Sequence, residues 1–299
     1  MKKIYVIGAS GLIGNALTNN LRSKYNNVIG TYSQNKFINL QYFDLNNEDY
    51  SLFLNIRETD VVFIMSAYSN PNWISQNKKE ARNLNLTKTI SLIKFLKSKN
   101  PRIIFMSSVE IFDGEKGSYK ENDIPNPLNY YGMLKLDIEN YLRDEYSNHC
   151  IVRTGWNVGL NRKSRCVVEL TFETLLKPDA KMAIDNFFSL ADVNDTAEGL
   201  SKLIKKQDIK IIHLCSDDVI SRIDLANTII ENSIFGKQMN YKNCLFKDIK
   251  YSEPRGKVNN LVNNLSKEKL NILYKNSKKI IIDKVLYLDE LRKSDNYGK

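Results

Sequence analysis

Tyr131 and Lys135 combine residue types and a spacing that suit proton transfer. Their four-residue separation places both side chains on one face of a helix. A free phenol has a pKa of about 10, and a nearby ammonium group lowers that pKa by favouring the phenolate. Ser108 follows the apolar run Ile103–Met106, and its hydroxyl can donate to a reacting oxygen. The three residues predict proton transfer to or from an oxygen, although Tyr and Lys at this spacing also occur on ordinary exposed helices.

Three glycines near the start of the chain predict a dinucleotide site. They follow an apolar run and open a helical pattern. The first allows a tight turn, the second lets the backbone approach a pyrophosphate, and the third permits close helix–strand packing. The N–H groups at the start of the helix then face the phosphates. The predicted cofactor contacts in this turn are Gly8, Ser10, Gly11, Leu12, Ile13 and Gly14.

The end of the second predicted strand, Val28–Tyr32, indicates which nicotinamide cofactor is preferred. A carboxylate there would bind the adenosine ribose and repel a 2′-phosphate. This segment has no carboxylate, whereas Ser33, Asn35 and Lys36 can hydrogen-bond or neutralise a 2′-phosphate. The sequence therefore predicts NADP(H), with NAD(H) as the alternative.

Strand and helix patterns alternate through the first half of the chain. Repeated units of this kind form parallel sheets with right-handed crossovers, so we expect an α/β, doubly wound Rossmann fold. The predicted strands are Ile4–Ile7, Val28–Tyr32, Leu40–Phe43, Val61–Met65, Ile103–Met106 and Ile151–Arg153. The predicted helices are Leu12–Leu21, Asn77–Lys97 and Asn129–Leu142.

The alternation loosens beyond Gly155, which predicts a domain boundary. Residues 1–155 would form the NAD(P)-binding Rossmann domain, and residues 156–299 a smaller α/β substrate-binding region packed on it, with elements of the two free to interleave. Ser221 has the residue type of a helix N-cap. The elements predicted in the second half are the helices Val167–Leu176, Val193–Ile204 and Ser221–Ile230 and the strand Ile209–Leu214.

Composition narrows the function classes further. The net charge of +10 comes from dispersed lysines without an arginine-rich run, which favours a solvated basic surface over a nucleic-acid site and would also attract phosphorylated substrates. Four widely spaced cysteines and only two histidines, His149 and His213, argue against a metal site, a disulfide framework and most nucleophile–His pairs. We expect a reduced, cytoplasmic protein without a membrane segment.

The spacing of the three glycines resembles that of the short-chain dehydrogenase/reductase superfamily, especially its extended branch. Within that branch the chain resembles the dTDP-4-dehydrorhamnose reductase family over most of its length. Residues 107–114 (Ser-Ser-Val-Glu-Ile-Phe-Asp-Gly) are similar to that family's Ser-Thr-Asp-Tyr-Val-Phe-Asp-Gly segment. The other similar segments are residues 151–156, residues 221–226 and Pro254-Arg255.

This resemblance implies an oxidoreductase that transfers hydride from NADPH to C4 of a nucleotide-linked 4-keto-6-deoxy sugar, in the synthesis of surface polysaccharide precursors. It implies that Tyr131 protonates the forming alkoxide, that Lys135 holds the ribose and tunes Tyr131, and that Ser108 polarises the carbonyl. Trp156 and Arg255 would hold the sugar nucleotide.

The resemblance also extends to the cofactor and to the assembly. Asp44 would contact the adenine ring, although it could equally be a turn or N-cap residue, and Ala67 would contact the cofactor. Relatives of the extended branch often pair through the helices that contain the Tyr-x-x-x-Lys segment. A homodimer is therefore an expectation, with the oligomeric state left open.

Two departures from the family pattern leave alternatives open. Val109 and Glu110 replace Asp and Tyr. Glu110 would share the face of Ser108 on a continuing strand, and a Glu there serves as acid or base in nucleotide-sugar dehydratases, so an epimerase or dehydratase that retains NAD(P) is the first alternative. Tyr68 stands in a loop that lacks the usual Asn or His and could contact substrate. A non-enzymatic NAD(P)-binding regulatory subunit is the second alternative, because the family includes such a partner of methionine adenosyltransferase.

Overall fold

Seven parallel strands form the central sheet of the computed structural model, which describes residues 2–34, 36–161 and 165–297. These strands are β1 (Ile4–Ile7), β2 (Val28–Tyr32), β3 (Gln41–Tyr42), β4 (Val61–Ile64), β5 (Arg102–Met106), β6 (His149–Thr154) and β11 (Ile211–Leu214). Their order in the sheet is β11-β6-β5-β4-β1-β2-β3, so the chain winds outward from β1 in both directions. The predicted α/β fold with a doubly wound parallel sheet is confirmed.

Helices and further short strands complete the fold. The helices are α1 (Leu12–Arg22), α2 (Pro71–Gln76), α3 (Lys78–Arg82), α4 (Thr89–Lys97), α5 (Tyr130–Glu145), α6 (Val167–Leu175), α7 (Val193–Leu203), α8 (Arg222–Asn232), α9 (Asn264–Leu270) and α10 (Ser277–Tyr297). The short strands, which pair outside the central sheet, are β7 (Trp156–Val158), β8 (Lys181–Ala183), β9 (Phe187–Phe188), β10 (Leu190–Asp192), β12 (Ile220–Ser221), β13 (Lys242–Cys244) and β14 (Val258–Asn259). None of the helices in the described ranges has the length and apolar character that crossing a membrane requires.

The first strand shows why the sheet must be covered on both faces. Its four residues are all buried, and their side chains alternate between two apolar clusters. Tyr5 and Ile7 join the cluster that contains apolar residues of α4 and α5, whereas Ile4 and Val6 join the cluster that contains those of α1 and α7. A strand buried on both faces reads as a continuous apolar run, as the sequence of β1 does.

The second half of the chain contributes to both parts of the molecule. Strand β11 pairs with β6 at the edge of the central sheet, and α7 packs against α1. Helices α6, α8 and α10 instead surround a separate apolar cluster beside the sheet. Elements of residues 156–299 therefore interleave with those of residues 1–155, while the functional division at residue 155 stays a prediction.

The predicted long helix over residues 77–97 is confirmed as one continuous helical segment, but it contains a wider turn. The segment forms α3, a π-helical stretch over Asn83–Lys88, and α4 without a break. Within the π-helical stretch, the Asn85 side chain accepts from the Tyr68 N–H and donates to the Tyr68 carbonyl oxygen, both at 2.8 Å. Wider helical turns of this type often occur at functional sites, and here the turn holds the loop that follows β4.

Candidate active site

Ser108, Tyr131 and Lys135 lie together at the carboxyl edge of the sheet. Ser108 caps a 3₁₀ turn over Val109–Ile111, and its Oγ accepts from the Glu110 N–H at 3.2 Å. The same hydroxyl forms a side-chain hydrogen bond with Tyr131, which lies in the first turn of α5. One turn later, Lys135 is buried, and its Nζ donates to the Met106 carbonyl oxygen at 2.7 Å. The structure thus brings together the three residues for which the sequence predicts proton transfer.

The proton affinity of Tyr131 differs from the expectation. Its pKa is raised, first because the phenol is buried and then because the Glu110 carboxylate is near, while the hydrogen bond with Ser108 opposes the shift. Burial also lowers the pKa of Lys135 to about 8, against the opposing effect of Glu139. The expected lowering of the Tyr131 pKa is therefore wrong, because burial and the Glu110 carboxylate raise it instead. Tyr131 keeps its proton at neutral pH and can act as a proton donor.

A buried ionic network fixes α5 to the strand end that carries Ser108. Glu139, on the helix face that carries Lys135, accepts from Arg153 through both carboxylate oxygens, at 3.1 and 2.8 Å. The Ser107 hydroxyl donates to the same carboxylate at 2.5 Å. All three residues are buried. This clamp of Ser107, Glu139 and Arg153 holds Tyr131 and Lys135 at a fixed distance from Ser108.

Glu110 lies beside Tyr131 because of a backbone turn, whereas the sequence predicted that it would continue the strand. The backbone turns after Ser108 into the 3₁₀ segment, so Glu110 does not continue a strand. Its Oε2 accepts from the Asn129 Nδ2 at 2.6 Å, and Asn129 also caps α5 through a bond from the Gly132 N–H at 2.9 Å. Asn129 was not among the predicted site residues, and the signal for it is an Asn directly before the helix that bears Tyr131.

The glycine turn has the shape that a pyrophosphate requires. Gly8 has a φ of +86°, and a Cβ there would lie 2.8 Å from the Ser66 backbone nitrogen. A Cβ at Gly14 would lie 2.2 Å from the Gly8 carbonyl oxygen, whereas the nearest atom at Gly11 is 3.4 Å away. Gly11 is the N-cap of α1 and supplies no side-chain acceptor, so the first N–H groups of that helix stay available to an anion. These features fit a bound dinucleotide.

The remaining residues predicted to hold the cofactor lie around this turn and the next two strand ends. Ser10 and Gly11 are exposed, and Leu12 and Ile13 are half-buried. Ser33 and Lys36 are exposed beyond β2, Asn35 lies outside the described residues, and Ala67 is half-buried after β4. Asp44 accepts from the Asn46 N–H at 3.0 Å as the N-cap of a short 3₁₀ helix, so the structural role considered for it is present.

A cavity of about 370 Å³ opens beside Glu110 and is lined mainly by the second half of the chain. Trp156 and Arg255 line it, as do Lys181 and Lys250. The Arg255 guanidinium lies over the Tyr251 ring, with its carbon 5.0 Å from the ring centroid. Tyr68, by contrast, packs its ring on Trp73, with ring centroids 4.3 Å apart. The structure therefore brings two of the three predicted substrate residues to this cavity.

Arg222 is a cavity residue that the sequence analysis did not select. Its guanidinium carbon lies 4.7 Å from the centroid of the Phe188 ring and 5.7 Å from that of Trp156. Its Nε and Nη2 donate to the Asn186 Oδ1 at 3.2 and 3.0 Å. Burial lowers the pKa of Arg222 to about 10, which leaves the side chain charged at neutral pH. The available signal was the basic residue directly after the predicted N-cap, Ser221.

The segment over residues 246–255 closes one side of the cavity and reaches the start of α5. The Glu253 Oε2 accepts from the Tyr130 N–H at 3.0 Å, and the Pro254 carbonyl oxygen accepts from Asn129 at 3.3 Å. The Ser252 hydroxyl donates to Asn72 in α2 at 2.7 Å. This segment, called here the strap, connects the wall of the cavity to the helix that carries Tyr131.

Comparison with known proteins agrees with this arrangement across both halves of the chain. Residues 1–275 match the model of the family described as RmlD substrate binding domain. The chain belongs to this family. The match extends well beyond residue 155, so it includes the cavity as well as the glycine turn.

Individual relatives cover different shares of the chain. Methionine adenosyltransferase 2 subunit beta of Bos taurus is 26% identical over 155 residues, which is 51% of this chain and 46% of that protein. The chain thus spans about half the length of the first curated relatives it matches. A probable low-salt glycan biosynthesis reductase of Haloferax volcanii is 28% identical over 236 residues, which is 76% of this chain and 79% of the relative. The crystal structure of dTDP-4-dehydrorhamnose reductase from Yersinia enterocolitica shares the fold, with a TM-score of 0.80 at 22% identity over 96% of this chain and 99% of that one.

Proposed function

We propose that the protein uses NADPH to reduce the keto group of a nucleotide-linked 4-keto-6-deoxy sugar. The observation that carries this proposal is the protonated, half-buried Tyr131, hydrogen-bonded to Ser108 and one turn from Lys135, beside Glu110, which lines a cavity with cationic walls. The bound cofactor would supply the hydride. Reduction of a ketone also consumes a proton, which the protonated Tyr131 phenol can give because the forming alkoxide is a stronger base than a phenolate.

Each of the three residues has a separate part in this reaction. The Tyr131 phenol donates its proton to the oxygen that becomes a hydroxyl. The Ser108 hydroxyl donates a hydrogen bond to the same oxygen and favours the negative charge that develops there. The Lys135 ammonium group would hold the cofactor ribose by donating hydrogen bonds to its hydroxyl groups.

The cavity supports a substrate with two phosphates. Lys181, Arg222, Lys250 and Arg255 all line it, and the two arginines are held by aromatic rings. Guanidinium groups bind phosphate oxygens through paired hydrogen bonds, and a guanidinium that is already oriented loses less entropy on binding. Trp156 offers an apolar face in the same cavity. The names of the Haloferax and Yersinia relatives support a sugar-nucleotide reductase in the synthesis of surface polysaccharide precursors.

Glu110 favours a second candidate function. Its carboxylate lies beside Tyr131 and lines the cavity, where it could exchange a proton with a sugar carbon in an epimerase or dehydratase that retains its NAD(P). A regulatory subunit, as in the methionine adenosyltransferase relatives, would have no need for the assembled Ser108, Tyr131 and Lys135.

NADPH absorbance separates these functions. Wild type, Tyr131→Phe and Glu110→Gln would be compared with dTDP- and GDP-linked 4-keto-6-deoxy sugars. NADPH consumption that vanishes in Tyr131→Phe and survives in Glu110→Gln supports the reductase. Constant NADPH with Glu110-dependent uptake of solvent deuterium into the sugar establishes the epimerase or dehydratase instead. If neither change occurs, the regulatory function is favoured.

The cofactor type, the cytoplasmic location and the homodimer belong to the same proposal. Support for NADPH comes from Ser33 and Lys36, which are exposed beyond β2 without a neighbouring carboxylate in residues 30–36. Relative affinity for NADPH and NADH tests the predicted preference for NADPH, and sedimentation velocity tests the homodimer.

A further inference from the structure

The wall of the cavity carries charges of both signs. Among the described residues that line it, Glu110 supplies the one carboxylate, whereas Lys181, Arg222, Lys250 and Arg255 supply positive charge. A phosphate would be repelled by the Glu110 carboxylate and attracted by the four cations. The lining therefore favours a ligand that carries both an anionic group and a hydrogen-bond donor.

Glu110 is held rigidly, and its carboxylate can accept more hydrogen bonds than the one that Asn129 donates. Its side chain is largely buried, and Asn129 donates to one carboxylate oxygen at 2.6 Å. Its backbone is pressed against α5, since a Cβ at Gly132 would lie 2.0 Å from the Glu110 carbonyl oxygen. An ionised carboxylate offers about four acceptor positions, so a molecule that fills the cavity can supply further donors.

The position of Glu110 relates those donors to the reacting carbon. Ser108 precedes it by two residues and forms a hydrogen bond with Tyr131, and the Glu110 charge acts directly on the Tyr131 phenol. The carboxylate therefore lies next to the place where Tyr131 and Ser108 meet the carbonyl oxygen. In a 4-keto-6-deoxy sugar the two neighbouring carbons are C3 and C5, and C5 carries a methyl group and the ring oxygen, which have no donor.

We propose that Glu110 accepts a hydrogen bond from a hydroxyl or amino group on C3, the carbon beside the reacting carbonyl, and so restricts the substrates to sugars that carry such a donor. This inference rests on the proposed function, because it takes Tyr131 and Ser108 to mark the carbonyl. A site built around a hydrogen bond rejects a substrate that lacks the partner far more strongly than an apolar pocket rejects a missing methylene. Glu110 thereby becomes a specificity-determining residue rather than an acid–base catalyst.

The test compares two nucleotide-linked 4-keto-6-deoxy sugars that are identical except that one lacks the C3 hydroxyl. Wild type, Glu110→Gln, Glu110→Ala and the exposed control Glu115→Gln are each assayed for kcat/KM and for binding of both sugars by calorimetry. Thermal unfolding and NADPH affinity confirm that each variant is folded. We expect wild type and Glu115→Gln to prefer the hydroxylated sugar by at least about 100-fold. In Glu110→Ala the preference should fall below about tenfold, mainly because the hydroxylated sugar becomes a poorer substrate.

A 3-amino sugar distinguishes the two donor types. If an ammonium group is the natural partner, Glu110→Gln loses more activity with the amino sugar than with the hydroxylated one, and equal losses assign the hydroxyl. An unchanged preference in folded Glu110→Ala overturns the inference. Glu110→Gln keeps an acceptor oxygen for a hydroxyl, so it serves the comparison of the two donor types. If wild type consumes no NADPH with either sugar, the proposed function fails, and the calorimetric preference still decides whether Glu110 recognises the C3 donor.

Discussion

Residues around Tyr131 are held by buried side chains, whereas the cavity wall is held by ring stacking and by a partly exposed strap. Lys135 and the clamp of Ser107, Glu139 and Arg153 are almost inaccessible to solvent, and each makes a hydrogen bond inside the first 155 residues. The strap reaches the same helix only through contacts such as Glu253 with the Tyr130 N–H. Proton transfer needs fixed distances, and the buried residues around Tyr131 provide them. Substrate recognition depends on the cavity wall, whose side chains can vary without disturbing the central sheet.

Removing the Tyr131 hydroxyl should have the largest effect on the reaction while leaving cofactor binding almost unchanged. We expect Tyr131→Phe to lower kcat by about 10³-fold, because general acids contribute 10²–10⁴-fold. Affinity for NADPH should stay within about threefold, since the hydroxyl is directed at Ser108. Steady-state kinetics and fluorescence titration provide the two measurements. Tyr141→Phe, on the same helix, is the control and should keep wild-type activity; a similar loss there would show that the helix rather than the phenol is responsible.

The clamp of Ser107, Glu139 and Arg153 should account for much of the stability of the region around Tyr131. Glu139→Gln leaves the Arg153 charge buried without its partner, so we expect the free energy of unfolding to fall by about 3–5 kcal/mol. Glu145→Gln, on the same helix, breaks the exposed pair with Lys97 of α4 and should change the free energy of unfolding far less, because solvent screens exposed pairs. Urea unfolding of both variants gives the comparison. Equal losses would contradict the view that the reaction centre is held by its buried network.

Loss of the Arg222 charge should weaken binding of the nucleotide sugar without slowing the chemical step. Replacing Arg222 by Gln removes a charge from the cavity wall, and we expect KM for the nucleotide sugar to rise about 10- to 100-fold while kcat changes little. Arg292, whose guanidinium lies over Phe235 away from the cavity, gives the control Arg292→Gln with unchanged kinetics. A large fall in kcat at constant KM would instead place Arg222 in the reaction centre.

Two glycines allow the folding and the binding roles of the cofactor turn to be separated. Gly14→Ala places a Cβ 2.2 Å from a carbonyl oxygen, so we expect a loss of about 1–3 kcal/mol in unfolding free energy. The space at Gly11 accepts a Cβ at 3.4 Å, so Gly11→Ala should fold normally and bind NADPH about tenfold more weakly. Thermal melts with and without NADPH test the pair, and full NADPH affinity in Gly11→Ala would remove that glycine from the cofactor site.

Sequence patterns located the features that depend on local spacing. The bounds of β1 and β2 and the N-cap role of Ser221 are confirmed, since each rests on residues adjacent in the chain. The contact of Asn129 with Glu110 and the pairing of Glu139 with Arg153 could not be predicted in this way, because these partners come from segments brought together only by the fold. The raised pKa of Tyr131 was missed for the same reason, as burial and a turn in the backbone set it.

Isotope transfer shows whether Tyr131 serves a hydride transfer to a ketone carbon. NADPH with both hydrogens at nicotinamide C4 replaced by deuterium would be incubated with wild type and a dTDP-linked 4-keto-6-deoxy sugar, and the product examined by NMR and mass spectrometry. Hydride transfer should place one deuterium at C4 of the reduced sugar for each NADPH oxidised. A product isomeric with the substrate, without deuterium from NADPH and with the cofactor unchanged, would contradict it.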